Sequence, residues 1–195
     1  MDLLGSDIEL QRSFSDEFKK KGRLALFGCG TAPGMSNIMA AHGVNLVEKP
    51  ESIEILDACV DMVPDTEPIE VDGQKVSPRA LLLTLLSNQL PETQKAPDFR
   101  GHMMVVVKGE QGGKRVEYTI TEYATERLTL EMQKKGIFSS YRTGLYAAIA
   151  TLMIGRGQVE KKGALYPEEC IPTGLFLKEA AKAGIEVDVT GKEWV

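Results

Sequence analysis

The sequence predicts an α/β segment at the start of the chain followed by an α+β segment. Three observations lead there. Leu24 to Met39, LALFGCGTAPGMSNIM, reads as a strand, a glycine-rich turn and a helix start. The runs His102 to Lys108 and Arg115 to Thr121 flank GEQGG, a permissive tip for an antiparallel hairpin. Helical segments separate these strands, which implies a mixed or antiparallel sheet covered by helices on one face.

Taken in order, Asp7 to Lys21 has the spacing of an amphipathic helix with Ile8, Leu10, Phe14 and Phe18 on its apolar side. Leu24 to Phe27 is uninterrupted apolar sequence, as in a strand buried on both faces. Met35 to Ala41 is the next helix, with Gly43 as its expected end. This first unit reads as one α/β repeat at the edge of a parallel sheet. Ser52 to Met62 has the β-branched and apolar content of a strand, and Val71 to Val76 reads as a short hairpin around Asp72-Gly73.

Pro78 opens the apolar helix RALLLTLLSNQL, where proline suits the first turn. Ala124 to Ser140 has helical composition without a clear pattern. Thr143 to Ile154 and Glu168 to Ala183 are expected helices, the second ended by Gly184, and Ile185 to Val189 is a final strand. The expected domains are residues 1–50 and 51–195.

Composition narrows the function classes. Apolar residues make up 43% and charged residues 26% of the chain, the balance of a soluble globular protein. A net charge of −5 argues against nucleic acid, which needs clustered Lys and Arg. The cluster Lys19 to Arg23 suits a helix C-terminus instead. No apolar run approaches a membrane span and the N-terminus is too polar for a signal sequence, so a cytoplasmic location without membrane partners is expected. Cys29, Cys59 and Cys170 are odd in number and widely spaced, and His42 and His102 are not at ligand spacing, so no disulfide framework or metal is expected.

The glycine turn is the first candidate site. Gly28, Gly30 and Gly34 permit close backbone approach, and the helix N-terminus behind Pro33 is expected to offer free N–H groups to an anionic or carbonyl-bearing ligand. The spacing is GxGxxxG rather than GxGxxG, and Pro33 removes one donor, so the turn reads as the wall of a cleft and not as a pyrophosphate loop. Ser36 and Asn37 are its polar groups nearest a ligand, and helix capping accounts for them equally well. The second candidate is Arg142, Thr143 and Gly144, where an arginine beside a helix start suits a carboxylate, and where a simple cap and a solvated charge are the plainer reading. His102 is a lone histidine with the chemistry of an acid or base, for which a hydrogen-bonded structural role is the plainer reading. Glu168 and Glu169 are accounted for by the helix dipole, and Tyr118, Tyr123, Tyr141 and Tyr146 could give a phenol to a site, with core packing as their plainer reading.

The residues Gly28, Gly30, Pro33, Gly34 and Asn37 resemble the G-x-G-x-x-P-G-x-x-N turn of the saccharopine dehydrogenase family, which includes saccharopine reductases and lysine dehydrogenases. DLLGSDIELQRSF upstream and TGLYAAIATLMIGRGQVEKKGALYPEE downstream continue the resemblance over nearly the whole chain, with Pro167 and Glu168 keeping a PE pair. Two positions depart from the pattern: Ala32 stands where many relatives have Asp, and Tyr166 where many have a second proline.

The resemblance implies that residues 1–50 are the last repeat, a remnant, of a Rossmann-type parallel sheet. Residues 51–195 would then form a substrate-binding and dimerisation domain. It implies NAD or NADP as cofactor of a complete form, with Gly30, Thr31, Pro33, Gly34, Ser36 and Asn37 flanking the nicotinamide. His102, Arg142, Thr143 and Gly144 would meet a lysine-derived or related amino acid. The family's dinucleotide fingerprint has no counterpart in the sequence, so this chain alone is expected to bind the cofactor weakly and to be inactive. A homodimer is the expected assembly. The competing expectation is a non-catalytic ligand-binding or dimerisation module.

Overall fold

A computed structural model describes residues 7–59, 69–71, 73–77, 81, 101–124 and 141–194. The chain begins with α1 (Ile8–Ser13) and α2 (Ser15–Lys20), then β1 (Leu24–Leu26) and α3 (Met35–Val44). The strands β2 (Lys49–Cys59), β3 (Ile69–Val71), β4 (Gln74–Val76), β5 (Gly101–Gln111) and β6 (Lys114–Ala124) follow. The remainder is α4 (Tyr141–Gly155), β7 (Gly163–Leu165), α5 (Pro167–Cys170), α6 (Thr173–Lys182) and β8 (Ile185–Glu193).

Mixed α/β architecture is confirmed. β1 and β7 form a two-stranded parallel sheet, and β2, β5, β6 and β8 form a four-stranded antiparallel sheet in the order β2-β5-β6-β8. Alternation decides which face of the larger sheet is covered. Met103, Val105 and Val107 on β5 are fully buried, while Met104, Val106 and Lys108, which alternate with them, are half-buried. In register beside the buried set lie Ile120 and Glu122 of β6 and, from β8, Val187 and Ile185. Helix α3 lies on this face against β5, and α6 packs on β8 and against α3 and α4. Ile38, Met39, Met153 and Phe176 complete the core.

Gly43 does not end α3 as expected. The helix runs through it to Val44, with Asn45 at its C-cap. A Cβ at Gly43 would stand 2.6 Å from Val107 Cγ2 and 2.8 Å from Ile120 Cδ1, so glycine there lets the helix sit close on the sheet.

The expected helix over Asp7 to Lys21 is two short helices. Asp7 caps the first by accepting the Leu10 N–H at 3.0 Å. The break falls at Phe14, after Ser13 turns its hydroxyl back onto the Leu10 carbonyl at 2.7 Å. Its expected apolar side is largely outside, with Ile8, Leu10 and Phe14 exposed.

The expected helix over Glu168 to Ala183 is likewise divided. Ile171 is extended because Pro172 follows it, which separates α5 from α6. The β2 strand starts earlier than Ser52, and a register shift between Pro50 and Ser52 accommodates the proline. The β3–β4 hairpin and the β5–β6 hairpin are where they were expected, the second with longer strands. Of the expected helix after Pro78 only Leu81 is described, and it is helical, while the segment before Tyr141 lies outside the described residues except for Ala124, which ends β6. Among the described residues no helix is long and apolar enough to cross a membrane.

Candidate functional site

The glycine turn closes on itself. Gly28 and Gly34 have φ of 59° and 135°, and the Ala32-Pro33 peptide is cis. The Gly30 N–H donates to the Pro33 carbonyl at 2.9 Å, and the Gly30 carbonyl accepts the Met35 N–H at 3.0 Å. A Cβ on Gly34 would stand 2.1 Å from the Gly30 carbonyl oxygen, so only glycine permits this approach.

The expectation of free N–H groups at the start of α3 is therefore corrected. The Gly34 N–H donates to Asn37 Oδ1 at 3.2 Å, the Met35 N–H to Gly30, and the Ser36 N–H to the Thr31 carbonyl at 3.1 Å. The loop folds its own oxygens over the helix end and takes the donors a pyrophosphate would need. These residues do not fit a dinucleotide's phosphates. Ser36 is buried and donates its hydroxyl to Asn37 Oδ1 at 3.0 Å, so both polar side chains serve the cap.

Asn37 also borders an open groove of about 480 Å³ between α3, β2 and the α5–α6 junction. Its walls are chiefly apolar, with Ala41, Val44, Ile53 and Ile55, and Glu168 and Thr173 add polar groups. His42 Nδ1 lies 3.3 Å from Thr173 Oγ1, and burial lowers the histidine pKa.

The second candidate region is built around a buried carboxylate. Glu122 has no exposed surface. Its Oε1 accepts the Tyr146 hydroxyl at 2.6 Å, and its Oε2 pairs with Nη2 of Arg142. Arg142 Nε also donates to the Tyr146 oxygen, at 3.4 Å. Positions 142 and 146 are one helical turn apart on α4, which lets both side chains converge on one residue of β6. Burial opposes the Arg142 charge, but Tyr146 and Glu122 outweigh it and hold the guanidinium pKa above its ordinary value. Burial, with the Glu122 charge, raises the Tyr146 pKa, so this phenol stays protonated.

The two regions touch. Thr31 Oγ1 and Thr143 Oγ1 are 2.9 Å apart, joining the glycine turn to the helix that carries Arg142. Gly144 is exposed on the same helix, and a Cβ there would meet open space. His102 stands on β5 opposite Ala58 and Tyr123. Glu169 caps α5 by accepting the Tyr166 N–H at 2.8 Å and pairs with Arg12 at 3.0 Å.

No protein-family model matches the chain.

Beside the turn, the Cys29 thiol is buried and free, with its pKa pushed up to about 12 by burial and then by Cys170. Cys170 is also buried and free, and its pKa is raised to about 12, chiefly by burial. Among the described residues no three His, Cys, Asp or Glu side chains group as metal ligands.

Sequence reading missed Glu122. The signal was present: Val116, Tyr118, Ile120 and Glu122 share one face of a strand, and a carboxylate on an apolar face requires a buried partner. It took core packing as the plainer reading of Tyr146, whose hydroxyl is bound to the Glu122 carboxylate.

Proposed function

We propose that this chain is the C-terminal, substrate-binding part of a saccharopine dehydrogenase-like, NAD(P)-dependent oxidoreductase acting on a lysine-derived or related amino acid. On this reading β1 is a remnant of a Rossmann-type sheet, Arg142 receives the amino-acid carboxylate, and the glycine turn forms the neighbouring wall. The observation that carries it is the Thr31–Thr143 contact at 2.9 Å, because it joins the two segments that the sequence singles out as candidate sites. The nicotinamide cofactor would supply hydride chemistry from a binding unit outside these residues. The half-buried second face of the four-stranded sheet, with Met104 and Val106, supports association of two copies there.

The test is calorimetric titration of the chain with L-lysine, beside Arg142→Ala. The reading expects carboxylate-dependent binding that the substitution abolishes. Equal affinity in the two proteins removes Arg142 from the site.

A second reading, a non-catalytic ligand-binding or dimerisation module, is supported by the closed turn. The Gly34, Met35 and Ser36 N–H groups that a phosphate would use are already satisfied within the turn. A homodimer that binds no amino acid in the same titration would favour this reading.

A further inference from the structure

We infer that Glu122 and Tyr146 are positioning residues that orient the Arg142 guanidinium for carboxylate recognition. The inference rests on the substrate-binding reading above and adds two residues to that site. A guanidinium has five N–H donors in a rigid plane, so fixing two of its nitrogens fixes the direction of the rest. Here the Tyr146 oxygen accepts from Nε and Glu122 from Nη2. Among the described residues Nη1 has no such acceptor, and 14% of the Arg142 side chain remains exposed.

The clamp is itself held firmly. Glu122 is wholly buried on the central strand pair of the sheet, and Tyr146 is fully buried on α4. The Tyr146 hydroxyl donates to one carboxylate oxygen and accepts from Nε, so one phenol fixes both members of the ion pair. A carboxylate ligand would therefore meet an arginine whose rotamer is already chosen, with less side-chain entropy to lose on binding. The neighbouring residue Thr143 contacts Thr31, so the arginine belongs to the same wall as the glycine turn.

The experiment uses two probes, L-lysine and 1,5-diaminopentane, which is lysine without its carboxylate. Glu122→Ala is expected to weaken L-lysine about tenfold or more, the scale of a lost hydrogen bond to a charged group, with 1,5-diaminopentane unchanged. Glu122→Gln keeps an oxygen for Nη2 and should restore most of the lysine affinity. Should Glu122→Ala fail to fold, Tyr146→Phe releases the Nε side of the clamp. It is then expected to weaken L-lysine severalfold and leave the diamine unchanged.

Equal shifts for both probes, or no shift in either variant while Arg142→Ala abolishes lysine binding, would overturn the positioning role and leave the substrate-binding reading standing. No carboxylate-dependent binding in the unmodified chain would overturn both.

Discussion

Replacing Tyr146 by Phe removes one oxygen from the core and leaves its packing volume almost unchanged. The Glu122 carboxylate has no exposed surface, and its Oε1 accepts the tyrosine hydroxyl at 2.6 Å. Phe would strip that oxygen of its donor where water has no access, and Arg142 Nε would lose a long contact at 3.4 Å. A hydrogen bond to a buried charged group is worth about 1.5–3 kcal/mol. For a chain of this size each kcal/mol lowers Tm by about 2–4 °C, so the expected fall is about 3–12 °C. Urea denaturation should show the same loss with an unchanged m value. Tyr166→Phe is the control, since its hydroxyl donates to neutral Gln11 at 2.6 Å and should cost about 0.5–1.5 kcal/mol. A loss below about 0.5 kcal/mol for Tyr146→Phe would refute a buried carboxylate held by this phenol.

Other substitutions probe the turn and the titrating groups. Gly34→Ala should destabilise far more than Gly112→Ala, because both have positive φ but only Gly34 faces backbone, at 2.1 Å; equal losses in denaturant would contradict the closed turn. Cys29 and Cys170 should resist a thiol reagent at pH 8 and react at once in denaturant, as mass spectrometry can localise. Their native pKa values near 12 exceed the ordinary 9.0, so the unfolded chain loses these protons first, and stability should fall as pH rises from about 9 toward 12. His42 has the opposite linkage. Its lowered native pKa means that the unfolded chain binds the proton more readily, so stability is full above the ordinary 6.5 and declines as pH falls through the native value. His42→Asn should flatten that acid limb in thermal melts.

The parts of the fold that were legible in the sequence are those whose local pattern and tertiary role agree. The β5–β6 hairpin combines alternating strands with a glycine tip, and Gly112 and Gly113 both take positive φ at that tip. Gly43 was misread because a glycine near a helix end signals a cap, whereas its role comes from Val107 and Ile120, far away in sequence. The three-residue β7 carries too little periodicity to be seen, and it exists through parallel pairing with β1.

The site divides in the same way. Its residue types were legible at Gly30, Gly34, Asn37 and Arg142, but their connections were not. That Asn37 turns back to cap Gly34, and that Arg142 turns inward to Glu122, depends on contacts between segments that no local pattern encodes.

The most direct test of the account is calorimetric titration of the chain with NADH and NADPH in the presence of L-lysine. The account predicts heat from the amino acid and no tight binding of either cofactor, because the Gly34, Met35 and Ser36 N–H groups at the start of α3 are already satisfied by Asn37, Gly30 and Thr31. Tight binding of either cofactor would contradict it, and would make the glycine turn a nucleotide site within this chain.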